Sequence, residues 1–173
     1  DQELRKIYAE SIKGRANLYG YFIHRAIADF INKDGILAFI NPRTLLTDAY
    51  FAALRKWILK NAFIYKILNI VDRRSVFEAV LQPVVVNFFK KSGRTTFVKN
   101  VQNKQEIFSK EYLAIESEKF KYEQNGDTIF LVASSMIAYE IFEKLERLPS
   151  LAESGFEFVT GKVQWDKFKT CLS

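Results

Sequence analysis

Two strand-like runs and the short link between them constrain this chain most. Phe63-Ile-Tyr-Lys-Ile-Leu-Asn-Ile70 and Val84-Val-Val-Asn-Phe-Phe89 are dense in β-branched and aromatic residues. The 71–82 connection is too short for a helical crossover, so the two strands should pair antiparallel. Upstream, Leu18, Tyr19, Phe22, Ile23, Ala26, Ile27, Phe30 and Ile31 repeat apolar pairs every four residues, the pattern of an amphipathic helix. Asn32-Lys-Asp-Gly35 should end it, with Gly35 free to take the left-handed conformation. The continuous apolar run 36–40 reads as a buried, parallel strand. A further helix should start by capping at Thr47-Asp48 and bury Phe51, Leu54, Trp57 and Ile58. Helix, strand, helix, strand, loop, strand with short connections is an open α/β layer.

The character changes after Ser92-Gly-Arg94. Short strand candidates cover 95–101, 112–115, 120–122 and 128–131, with Asn125-Gly126 as a hairpin turn. A helix over 134–146 carries Ile137, Ile141, Phe142 and Leu145 on one face, and Leu148-Pro-Ser150 breaks it. The expected organisation is therefore 1–92, 93–148 as a β-rich insertion and helix, and 149–173 as a junction.

Charge follows the same division. Residues 1–91 hold 15 Lys and Arg against 8 Asp and Glu, while 92–173 hold 11 against 12. The basic excess in the first part suits a polyanion, although many proteins with no such partner are as basic. No apolar run is long enough for a membrane helix and no export signal opens the sequence, so a cytoplasmic location is expected. One cysteine, Cys171, excludes an internal disulfide, and a single histidine excludes a Cys/His zinc cluster. Phosphate-binding glycine loops and a nucleophile elbow are absent from the sequence.

His24 falls on the polar side of its helix and reads as a solvated surface residue. Glu140, Glu143 and Glu146, interleaved with Lys144 and Arg147, read as an exposed helix face rather than as acid–base machinery. Asp72-Arg73-Arg74-Ser-Val-Phe77-Glu78 lies at a strand end and sets two arginines beside an aromatic, a grouping able to hold phosphates and stack on a base. The preferred reading from pattern alone is that Phe77 caps the core with Arg73 and Arg74 in solvent. By pattern alone Tyr19 and Phe22 read as core.

Leu18-Tyr-Gly-Tyr-Phe22, Gly35-Ile-Leu-Ala-Phe-Ile-Asn-Pro42, Phe51-Ala-Ala-Leu-Arg-Lys-Trp-Ile58, Val76-Phe77 and Pro83-Val-Val-Val-Asn-Phe-Phe-Lys-Lys91 stand in one order. In that order the sequence resembles the N6-adenine DNA methyltransferases of restriction-modification systems. The resemblance implies an α/β fold: part of a Rossmann-like, S-adenosylmethionine-dependent sheet with a C-terminal β-hairpin, followed by a smaller α+β appendage. It implies methyl transfer from S-adenosylmethionine to an adenine flipped out of double-stranded DNA. Phe22, with Leu18 and Tyr19, then matches the wall of the cofactor's adenine pocket, and Phe77 matches the aromatic that contacts the extruded base. Pro149 to Trp165 is similar to the junction with a target-recognition domain, where Lys162 would join Arg73 and Arg74 as a DNA contact.

The family's catalytic Asn/Asp-Pro-Pro-Tyr/Phe motif is missing. Asn41-Pro-Arg43 is not that motif, because it follows the Leu-Tyr-x-x-Phe helix rather than preceding it. The resemblance therefore implies the later half of a catalytic domain that works with the missing N-terminal half and holds no catalytic acceptor of its own. A reading from another class is a DNA-binding specificity module with the same shape and no cofactor. An upstream Asn-Pro-Pro-Tyr in the gene separates the two.

Overall fold

The computed structural model describes residues 2–13, 17–76, 82–124, 126–151 and 153–156, which divide into two compact units, 1–140 and 141–173. In the first unit, α1 (Gln2–Ile7) leads through a turn at Tyr8–Ile12 toward α2 (Leu18–Asp29). There follow β1 (Leu37–Pro42), a single turn α3 (Thr44–Thr47), a 3-10 turn at Ala49–Phe51, α4 (Ala52–Asn61) and β2 (Phe63–Ile70). The turn α5 (Arg73–Val76) precedes β3 (Val84–Lys90), β4 (Thr95–Val101), α6 (Lys104–Phe108), β5 (Leu113–Glu116), β6 (Lys121–Gln124) and β7 (Asp127–Phe130).

Among the described residues β1–β3–β2–β4–β5 form one sheet and β6–β7 a separate hairpin. β2 and β3 are antiparallel, as their short link requires. β3 also pairs antiparallel with β1, so β1 and β2 run the same way and both end at the side where β3 begins. β4 is parallel to β2, so the strands before and after residue 92 share one sheet. Gly126 has φ +74° in the hairpin turn that joins Gln124 to Asp127; Asn125 lies outside the described residues.

One face of the sheet is covered by α2 and α4. Ile23, Ile27, Leu54 and Ile58 pack there with Ile64, Ile67, Val85, Phe89 and Val98, and about 1.5–3 kcal/mol for each buried large side chain makes this the main driving force. The opposite face holds Leu68, Ile70, Val84 and Val101, with Phe88 and Tyr112 partly buried beside them.

Several sequence expectations are corrected. The strand at 36–40 is not interior and parallel: among the described residues β1 is an edge of the sheet, antiparallel to its neighbour, and its burial alternates so that Ile40 is 60% exposed. Gly35 is not left-handed; it closes a tight turn in which its N–H donates to the Asn32 carbonyl at 3.2 Å. Asp48 does cap, accepting from the Tyr50 N–H at 2.9 Å, but it caps the 3-10 turn, and α4 starts only at Ala52. Arg73 and Arg74 sit in a helical turn rather than a loop, its start fixed by the Asp72 carboxylate accepting from the Arg74 N–H.

The helix expected over 134–146 is α7 (Met136–Leu145), and its buried residue is Tyr139, while Ile137, Ile141 and Leu145 are more than half exposed. In the second unit Ser150 and Glu153 cap one another reciprocally, Ser150 N–H to the Glu153 carboxylate and Glu153 N–H to the Ser150 hydroxyl. No helix among the described residues is long and apolar enough to cross a membrane.

Candidate functional site

A cleft of about 490 Å³ opens where β1 ends and β3 begins, lined by Asn17, Pro42, Arg43, Thr44, Thr47, Phe51, Gln82 and Pro83. Ligands of open α/β sheets bind outside the carboxyl ends of strands, and β1 and β2 both end on this side. Among the described residues that line it, five carry hydrogen-bonding side chains and none is acidic, so this wall suits an uncharged or anionic ligand. The Arg43 N–H donates to the Pro83 carbonyl at 2.8 Å and fixes the two strand ends together.

Asn17 is both a wall of the cleft and the N-cap of α2, which places the Leu-Tyr-x-x-Phe motif directly beside it. Leu18 and Phe22 lie one turn apart on the same side of α2 and are 69% and 65% exposed. Phe22 is thus not core, contrary to the bare helical pattern. Tyr19 turns inward and stacks on Phe51 with ring centroids 5.1 Å apart. Burial pushes its hydroxyl up to about 12; the Thr44 side chain opposes this, Asp48 adds to it, and Arg55 opposes it more weakly. Tyr19 therefore supports the cleft wall as a neutral phenol, while Leu18 and Phe22 present apolar surface to solvent.

The floor of this region is held by Arg55, which is fully buried. Its guanidinium donates to the Leu45, Asp48 and Thr128 carbonyls at 3.0, 2.8 and 2.5 Å and pairs with the Asp127 carboxylate. One side chain so ties α4, the 44–51 turns and the β6–β7 hairpin together. Sequence reasoning missed it, although a charged residue flanked by apolar Leu54 and Trp57–Ile58 on a core-facing helix was a signal. It also missed Arg43, Thr44 and Thr47, whose signal was a polar cluster directly after a strand.

Asn41 is 2% exposed; its amide nitrogen donates to the Pro42 carbonyl and its oxygen accepts from Asn87 at 2.9 Å. It is committed to the core. Arg74 is exposed near the end of β2. Phe77 and Lys162 lie outside the described residues. His24 is not a solvated surface residue: its ring stacks on Trp57 at 3.7 Å, meets Tyr8 edge-on at 4.8 Å, and its Nδ1 is 2.6 Å from the Ser11 hydroxyl. The turn at Tyr8–Ile12 folds back onto α2, a long-range contact that no helical period reveals.

Residues 1–77 match the family of the Eco57I restriction-modification methylase. A 47-residue stretch, 27% of this chain and 12% of the relative, is 43% identical to the modification methylase CviBIII of Paramecium bursaria Chlorella virus NC1A. The fold is similar, at TM-score 0.52 and 15% identity, to a crystal structure described as a modification subunit of a type I restriction enzyme from Vibrio vulnificus YJ016, over 75% of this chain and 34% of that one. The chain thus spans about a third or less of the proteins it is similar to. The first two likenesses are to restriction-modification methylases, the class to which the motifs point, and the third is a likeness of fold.

Proposed function

We propose that this chain is part of a DNA methyltransferase that moves a methyl group from S-adenosylmethionine to N6 of an adenine rotated out of duplex DNA. The observation that carries the reading is the placement of the Leu-Tyr-x-x-Phe motif: its helix starts at a wall of the cleft, and Leu18 and Phe22 stand exposed on it. The β1–β3–β2 arrangement, with an antiparallel strand between two that run the same way, is read as the end of a Rossmann-like layer.

The residues fit the cofactor's adenine portion, since an exposed leucine and phenylalanine one turn apart offer an apolar wall to a purine face. When bound, S-adenosylmethionine supplies a methyl group on a positively charged sulfur, chemistry that needs positioning more than acid–base help. On the chain's side, Tyr19 and Arg55 hold the cleft's framework. Arg43, Thr44, Thr47 and Gln82 direct donors toward a nucleotide. Arg74 extends positive charge at the same end of the sheet toward the DNA backbone, with Arg73 and Lys162 proposed as further phosphate contacts. Phe77, between α5 and cleft-lining Gln82, is the residue for stacking on the extruded base.

The test is methyl transfer from labelled S-adenosylmethionine to plasmid DNA by the parent enzyme, with Phe77→Ala beside it. The label should appear on adenine and fall about tenfold or more in the variant, as the loss of one stacking contact implies. Undiminished labelling would remove the role of Phe77. No adenine labelling across varied DNA by a folded, cofactor-bound parent would remove the reading and favour a DNA-binding module.

A further inference from the structure

The sheet face opposite α2 and α4 carries a second feature that the cleft does not use. β2 pairs Ile64 with Phe89 but Lys66 with Phe88, so Tyr65 is an extra residue, a β-bulge. The core reports the same thing, because Ile64 and Ile67 both pack under the helices although they are an odd number of residues apart. The bulge brings Tyr65 alongside Lys66. Lys66 lies opposite Phe88 on one side and Phe97 on the other, so Phe88, Lys66 and Phe97 form a row across three strands. Lys90 follows two residues after Phe88, on the same face.

The ammonium groups here rest on rings rather than on acids. Lys66 Nζ is 4.3 Å from the Tyr112 ring centroid and within 6 Å of those of Tyr65 and Phe88, and Lys90 Nζ is 3.9 Å from that of Tyr65. Among the described residues neither forms an ion pair with a carboxylate. Lys99, also over Tyr112, is satisfied by the Glu106 and Ser109 carbonyls and the Ser109 hydroxyl, so it builds the platform rather than offering charge.

We propose that this face, centred on Tyr65, Lys66, Lys90 and Phe97, binds a single nucleic-acid strand. Lys66 and Lys90 meet its phosphates and the partly exposed aromatic rings meet its bases. Charge complementarity selects a polyanion, and aromatic side chains standing on a sheet face select unpaired bases, because bases stacked inside a duplex cannot reach them. The platform needs neither the cofactor nor the cleft, so it stands apart from the methyl-transfer reading.

The experiment is fluorescence anisotropy of the full chain with a short labelled single-stranded oligonucleotide, with the same sequence as a duplex, and with an acidic helical peptide, over a range of salt. The native chain should prefer the single strand. Lys66→Gln with Lys90→Gln should weaken that binding at least tenfold and flatten log K against log salt by about 1.4, two contacts at about 0.7 each. Tyr65→Leu should weaken it about tenfold with the slope unchanged, since a ring carries no counterion. Circular dichroism and urea midpoints establish that each variant is folded. Absence of binding, equal binding by the lysine variant, or tighter binding of the duplex would each overturn the proposal. Binding of the acidic peptide that depends on Lys66 and Lys90, with none of the oligonucleotide, would assign the face to a protein and overturn it as well.

Discussion

Phe22 and His24 sit two residues apart on α2 and answer to different demands. Phe22 contributes little to the core, being 65% exposed. Phe22→Ala in the parent should therefore leave the urea midpoint nearly unchanged while weakening cofactor binding about tenfold, the scale of one aromatic wall; calorimetric titration reads the second effect. For His24 burial holds the ring pKa below its ordinary value, with Glu10 and Asp29 pulling the other way. Unfolding returns the ring to about 6.5, so between the two values the unfolded chain binds more protons and stability falls as pH drops. Above about 6.5 the contribution is complete. The urea midpoint should thus decline between about pH 7 and pH 5 more steeply in the native chain than in His24→Gln. Neither role was legible from the helical period alone, which groups Phe22 with the core and His24 with solvent. The resemblance singled out Phe22 for a proposed place outside the core, and only the fold-back at Tyr8–Ile12 explains His24.

At the scale of elements, local pattern served best where one face of a strand or helix decides its conformation. β2 runs from Phe63 to Ile70 and β4 from Thr95 to Val101, as their composition indicates, and the antiparallel β2–β3 pair follows from chain length. Which strand lies at an edge is a property of the whole sheet, so β1 was misplaced; its apolar run does not distinguish an interior strand from an edge with exposed Ala38 and Ile40. The same limit hid Arg55, whose partners Thr128 and Asp127 are distant in sequence. Replacing it with methionine takes this donor from the Asp127 carboxylate and from the Leu45 and Thr128 carbonyls, while the Asp48 carbonyl keeps the Phe51 N–H. Arg55→Met should lower stability by about 3–5 kcal/mol, measured by urea unfolding. Arg55→Lys should recover only part, since an ammonium cannot reproduce the planar fork. A loss under 1 kcal/mol in Arg55→Met would show that the clip is dispensable.

For the molecule as a whole, the sequence carried the α/β class and the methyltransferase resemblance, while the cleft-lining residues emerged only once β1 and β3 were seen to meet. Among the described residues β1 has no partner on its outer side; the exposed apolar residues Ile36 and Ile40 border it, with Phe22 exposed on α2 and Phe30 at its C-cap. Exposed apolar surface next to an unpaired strand edge promotes association. Light scattering at high concentration should give a mean mass above that of the 20.1 kDa chain, and Ile40→Lys should bring it down. A single-chain mass at every concentration would show that this edge is protected.

The bulge at Tyr65 also bears on how such a strand tolerates changes in length. Deleting a residue from a strand ordinarily swaps its two faces from that point onward. Here the partners of Ile64, Lys66 and Ile67 are the consecutive residues Phe89, Phe88 and Asn87, so loss of Tyr65 alone would restore a regular ladder and shift no pairing. Position 65 is a place where insertions and deletions can come and go among related sequences without refolding the sheet, the aromatic platform being gained or lost while the core keeps its frame.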